Sequence, residues 1–161
     1  MVFTNAKLDA HYSLTILTTL AEGNRTVIGD LRDNSNTQWD FLLFLCYCIS
    51  NGHLQMGSVL VLDNASVHVG AESTEAIYTL CEQAGVQLCF LPTYSPELNA
   101  AELVFQTSKQ MVSQNRSMER EHLSLDLLAV LGRISKSMML SFYQRVLTGW
   151  MKSLDPALVQ S

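Results

Sequence analysis

The sequence predicts an α/β fold, a mixed sheet flanked by helices. Three observations carry this. A β-branched, alternating stretch from His11 to Leu20 turns at Glu22-Gly23-Asn24 and returns through Arg25 to Leu31, which is the pattern of a hairpin. After it, short apolar runs alternate with stretches of helical period, which is the order of a strand–helix sheet rather than of a bundle or a sandwich. The chain has 161 residues, of which 48% are hydrophobic and 16% charged. That composition suits one domain with a packed core.

The elements follow in order. Asn34 to Thr37 is a polar loop, and Thr37 with Asp40 has the spacing of a capping box, Asp replacing the usual Glu. Gln38 to about Ser50 is apolar on nearly every side, which predicts a helix pressed deeply on a sheet and stopped by Asn51-Gly52. Ser58 to Asp63 is an uninterrupted apolar run ending in an acid, the pattern of a central strand covered on both faces. Ala71 to Ala84 predicts a helix, with Ala76, Ile77, Leu80, Cys81 and Ala84 on one face and Gly85 at its end. Val86 to Leu91 predicts the next strand, and Pro92 to Asn99 a rigid loop. Ala100 to about Gln114 predicts a helix with Glu102 in its first turn. After the polar break at Asn115-Arg116-Ser117, one or two further helices run to near Leu154, where Pro156 marks a stop.

Bulk charge narrows the function. The net charge is −5, whereas a free-standing nucleic-acid binder needs a basic face to displace counterions. Arg116, Arg120, Arg133, Lys136, Arg145 and Lys152 are scattered and read as a solvated face. An acidic chain is still compatible with hard metal ions, which prefer carboxylates. Cys46, Cys48, Cys81 and Cys89 form no Cys-x-x-Cys pair. They read as buried free thiols of a reducing compartment, not a zinc site. The N-terminus lacks a signal-peptide pattern. The longest apolar run, Phe41 to Ile49, is 9 residues, short of the ~20 a membrane span needs. His11, His53 and His122 read as surface residues, and Trp39 and Trp150 as packing aromatics.

The chemistry concentrates in two strings, Val59-Leu60-Val61-Leu62-Asp63-Asn64-Ala65-Ser66-Val67-His68 and Leu91-Pro92-Thr93-Tyr94-Ser95-Pro96-Glu97-Leu98-Asn99-Ala100-Ala101-Glu102. Phosphodiester cleavage by two metal ions uses carboxylates that hold the ions roughly 4 Å apart around an in-line attack. Open α/β sheets present ligands beyond the carboxyl ends of their strands. Asp63 closes an apolar run, and Glu102 opens a helix after the next one. The 38 residues between them accommodate a helix, a strand and a loop stiffened by Pro92 and Pro96. Glu97 is the rival to Glu102. Asn64 is a turn residue or a helper of the site. His68 either orients a phosphate or carboxylate or hydrogen-bonds within its loop.

Together the two strings resemble the second and third signatures of DDE-type transposases of the Tc/mariner superfamily. The resemblance runs from about His11 to Gln114. It implies a ribonuclease-H-like core that cuts and joins DNA with Mg2+ or Mn2+ in a two-ion site. It matches Asp63 to the second catalytic acid and Glu102 to the third, both as metal ligands, with Asn64, His68 and Asn99 supporting them. It implies DNA as partner and an intracellular place of work, nuclear in a eukaryote. Two departures accompany it. The spacing is a few residues longer than the family's common one, and no aspartate of this chain falls in the family's first signature. Asp9, Asp30 and Asp33 lie outside any matching string.

The resulting expectation is a partial transposase core over residues 1–161, with 115–161 as its C-terminal helical part and the family's first strand missing. Such a chain would bind metal weakly and lack activity. A decayed or domesticated, non-catalytic module that associates with nucleic acid or with itself is the alternative. The missing strand would also leave strand edges unpaired and favour self-association.

Overall fold

The computed structural model describes residues 3–4, 13–23, 25–63, 71–92, 95–114 and 123–154. Its strands are β1 (Phe3–Thr4), β2 (Ser13–Thr18), β3 (Val27–Arg32), β4 (Val59–Leu62) and β5 (Gln87–Phe90). Its helices are α1 (Gln38–Ser50), α2 (Ala71–Ala84), α3 (Ala100–Gln114), α4 (Leu123–Gly132) and α5 (Lys136–Leu154), with a 3-10 turn at Pro96–Leu98. The fold is mixed α/β, as the residue pattern predicts. The described strands form two sheets, one in the order β1-β2-β3 and one pairing β4 with β5.

These elements form two compact units, Met1–Ile16 with Gly29–Tyr94, and Leu17–Ile28 with Ser95–Ser161. In the first unit, β1 pairs antiparallel with β2, Phe3 opposite Leu14. This two-residue strand has no counterpart in the sequence reading, which starts its strands at His11, because two residues are too few to show a period. The β2–β3 hairpin is shorter than its apolar pattern. Arg32 bridges Asp30 at 2.7 Å and Asp40 at 2.6 Å, which ties β3 to the start of α1. Asn36 pins the intervening loop to β2, its N–H donating to Ser13 Oγ at 3.2 Å.

The capping box at α1 forms as its residues predict. Thr37 Oγ1 accepts from the Asp40 N–H at 3.2 Å, and Asp40 Oδ2 accepts from the Thr37 N–H at 2.9 Å. Phe41, Phe44, Leu45 and Cys48 are buried. α1 is less deeply pressed than its apolar sequence predicts, because Trp39, Leu43 and Tyr47 fall four residues apart on an exposed face. Trp39 is therefore not a core aromatic. His53 is half-buried rather than a plain surface residue, and its ring lies 6.0 Å from that of Tyr47.

β4 and β5 are parallel, Val59 opposite Gln87 through Leu62 opposite Phe90, with α2 as the crossover. Leu60 and Leu62 are buried, whereas Val59 is 56% and Val61 39% exposed. The expectation of a central, doubly covered strand is thus corrected. An unbroken apolar run fixes no face, and here successive side chains alternate between a core and solvent. On α2, Ser73, Ile77 and Cys81 are buried, and Ser73 Oγ donates to Gln38 Oε1 of α1 at 3.0 Å. Gly85 ends α2 with φ +67°, and a Cβ there would stand 2.8 Å from Met56 Cγ. Both the left-handed backbone and the close approach require glycine.

In the second unit, the tip of the hairpin packs with the C-terminal helices. Tyr143 Oη donates to Thr18 O at 2.9 Å, and Thr26 Oγ1 donates to Ile134 O at 2.8 Å. Burial raises the Tyr143 phenol above its ordinary value. Val104 and Phe105 of α3, Val130 of α4, and Met139 and Val146 of α5 are buried. The four cysteines are free, Cys48 and Cys81 buried and Cys46 and Cys89 half-buried. No helix among the described residues is long and apolar enough to cross a membrane.

Candidate active site

Asp63 follows β4 directly and is half-buried. The strand cannot continue through it, since it lies at the end of the paired register. The ladder holds firmly to that point, with the Leu91 N–H donating to Leu62 O at 2.8 Å. Asp63 therefore stands at the carboxyl end of a parallel pair, where open α/β sheets present ligand-binding side chains. Asn64 and His68 lie outside the described residues.

Glu102 is reached through a different local device. The Ser95 carbonyl accepts the Leu98 N–H at 3.1 Å and the Pro96 carbonyl accepts the Asn99 N–H at 3.0 Å, closing the 3-10 turn. Asn99 then caps α3. Its Oδ1 accepts the Ala101 N–H at 3.0 Å, and its carbonyl accepts the Glu102 N–H at 3.1 Å. Ala100, Ala101, Val104, Phe105 and Ser108 are buried on one face of α3. Glu102, between these positions, is half-buried at the edge of that face. Glu97, its rival, is exposed in the preceding turn.

Two contacts that the residue pattern does not reveal fix this entry to α3. Trp150 Nε1 of α5 donates to Leu98 O at 3.2 Å, and Leu98 is buried. A Cβ on Gly149 would stand 3.5 Å from Leu98 Cδ2. Trp150 is thus a packing aromatic, as its sequence context suggests, but its partner is 52 residues away and no local signal names it. The resemblance marks Asn99 only as a helper of the acids, and its capping of α3 emerges from the hydrogen bond to Ala101.

Carboxylates at these two positions are hard oxygen donors, suited to magnesium-like cations and not to soft metals. No cluster of three or more His, Cys, Asp or Glu side chains with metal-holding geometry occurs among the described residues. The carboxylates of Asp63 and Glu102 thus fit a divalent cation by donor chemistry, one at a strand end and one in the first turn of a helix.

A family model described as DDE superfamily endonuclease matches residues 7–124. No curated protein matches the chain. Endonucleases of that superfamily act on DNA and generally use divalent metal ions, and the fold the family implies is ribonuclease-H-like. The matched span takes in both acidic strings and more than half of the sequence, and the chain belongs to the DDE superfamily endonucleases, a transposase-like group.

Proposed function

We propose that this chain is part of the catalytic core of a DNA transposase of the Tc/mariner type. Residues 1–161 form this part of the core, with 115–161 as its C-terminal helical part. Asp63 is its second catalytic acid and Glu102 its third. The observation that supports this most is where the two acids stand in their own elements. Asp63 ends a parallel strand and Glu102 opens a capped helix, both within the span that matches the family. Mg2+ or Mn2+ would be held by the two carboxylates and would supply Lewis-acid stabilisation of the phosphodiester and activation of the attacking oxygen. The protein's own contribution is to hold one carboxylate at a strand end and the other in the first turn of a capped helix. Asn99 does this for Glu102 by ordering the first turn of α3. In this reading Asn64 and His68 support Asp63.

Two carboxylates neutralise the charge of two divalent ions poorly, and a two-ion site uses acids that bridge both metals. The 161 residues by themselves therefore bind Mn2+ weakly and do not nick DNA measurably. A supercoiled-plasmid assay with Mg2+ or Mn2+ tests this, alongside Mn2+ binding followed by electron paramagnetic resonance. The expected result is no nicking, with weak Mn2+ binding that is lost in Asp63→Ala. Nicking that disappears in Asp63→Ala would show these residues to be sufficient for catalysis. Mn2+ binding unchanged in both Asp63→Ala and Glu102→Ala would remove the site.

A further inference from the structure

Glu102 stands in the first turn of α3, where a helix is held least. The first backbone donors of a helix have no partner within it, and its ends fray. The position of a first-turn carboxylate therefore depends on what pins the turn from outside. Asn99 supplies a local pin through Ala101 and Glu102. A local pin orders the turn but does not anchor it to the packed body of its unit.

The anchor comes from α5. Trp150 Nε1 donates to Leu98 O at 3.2 Å. At the other end of the same peptide group, the Asn99 N–H donates to Pro96 O at 3.0 Å. A peptide group is planar, so the Leu98–Asn99 peptide is fixed at both ends. Asn99 leaves that fixed plane and holds two N–H groups that follow, Ala101 through Oδ1 at 3.0 Å and Glu102 through its carbonyl at 3.1 Å. The Leu98 side chain is buried, Gly149 of α5 faces it, and α5 packs along both the 3-10 turn and α3. A series of hydrogen bonds thus runs from the indole of Trp150 to the backbone of Glu102, all within the second unit.

We propose that Trp150 is a positioning residue for the metal site: its indole N–H sets where the Glu102 carboxylate stands, and so how tightly a divalent cation is held. This rests on the reading of Glu102 as a metal ligand. Hydrogen bonds that orient a ligand from behind change metal affinity by about 10–100-fold. The same coupling runs in reverse. A cation bound at Glu102 restrains the first turn of α3, the Leu98 carbonyl is restrained with it, and the indole N–H senses the binding. A Trp150 that only fills space and satisfies a buried carbonyl would lower stability when changed, but would neither weaken the metal nor sense it.

Mn2+ binding by the full chain, followed by electron paramagnetic resonance, and the indole N–H signal in nuclear magnetic resonance are the tests. Trp150→Phe keeps an apolar ring and removes the donor. It is expected to bind Mn2+ about tenfold more weakly than the parent. Val130→Ala, which truncates a buried side chain of α4, is expected to lose stability and keep the parent's affinity. Circular dichroism confirms that each variant is folded. In Trp39→Phe, Trp150 is the one remaining tryptophan, and its N–H signal is expected to shift as Mg2+ is added. The shift is expected to vanish when Glu102→Ala is combined with that variant. This second readout needs no change at Trp150. Parent-like Mn2+ affinity in Trp150→Phe, with binding lost in Glu102→Ala, would overturn the positioning role and leave Glu102 a ligand. So would an indole signal that stays still while Mg2+ binds, or equal weakening of Mn2+ in Val130→Ala and Trp150→Phe. Mn2+ affinity unchanged in Glu102→Ala would overturn the metal-site reading and this proposal with it.

Discussion

At the scale of single residues, Asn99 is the side chain on which the geometry of Glu102 turns. Its Oδ1 satisfies one of the backbone donors that a helix start leaves unpaired. Asn99→Ala is expected to cost about 1 kcal/mol of stability, and Asn99→Asp or Asn99→Ser to recover most of it. Chemical denaturation checks this, and an alanine variant as stable as the parent would refute the cap. Cys48 makes a second residue-scale prediction. Burial pushes its thiol up to about 12, so the folded state keeps it neutral while the unfolded chain ionises. Its contribution to stability is therefore complete below the ordinary thiol value. It is lost by about 1.4 kcal/mol per pH unit as pH rises toward the folded value. Thiol alkylation near pH 8 in the folded state should spare Cys48 and Cys81 and reach the half-buried Cys46 and Cys89. Rapid labelling of all four thiols in the folded protein would contradict that burial. Asp63 and Glu102 were legible because acids at element ends are local signals. Trp150 was not, because its contact with Leu98 is made by the fold.

At the scale of elements, the bounds of α1 and the end of α2 were readable from punctuation. Thr37 with Asp40 starts α1 and Asn51-Gly52 stops it, and Gly85 stops α2. What the pattern concealed was which side of an element meets the core. The run Val59 to Leu62 is uniformly apolar, yet only Leu60 and Leu62 are buried. Leu60→Ala is accordingly expected to cost 2–5 kcal/mol, about the usual range for a core leucine. Val61→Thr, on the open face, should change stability by no more than about 0.5 kcal/mol. Thermal or urea unfolding of the two variants separates the cases. Equal losses would mean that β4 is covered on both sides after all. The exposed Trp39, Leu43 and Tyr47 make the same point for α1. An apolar helix reads as buried on all sides until its packing partners are known.

For the whole molecule, composition identified a core-forming α/β chain, and the two acidic strings identified its superfamily. The division into two compact units was not legible, since no linker-like stretch marks it. The second unit takes in the tip of the hairpin through Tyr143 and Ile134, partners more than 100 residues away. The acidic balance of −5 also bears on the chain as a whole. DNA affinity is expected to be weak and to fall only gently with salt, because few phosphates can be neutralised. Fluorescence anisotropy with a labelled duplex checks this, and tight binding that falls steeply with salt would show a basic contact surface.

The central proposal, drawn from the two acidic strings, is that Asp63 and Glu102 are ligands of one divalent-metal site. Fe2+ placed in that site with ascorbate and peroxide generates hydroxyl radical beside its ligands, which cuts the backbone there. The account predicts cuts near both residue 63 and residue 102, competed away by Mn2+, with Asp63→Ala abolishing the cut near 102 as well as its own. Cutting near only one of the two, or a cut near 102 that persists unchanged in Asp63→Ala, would contradict it.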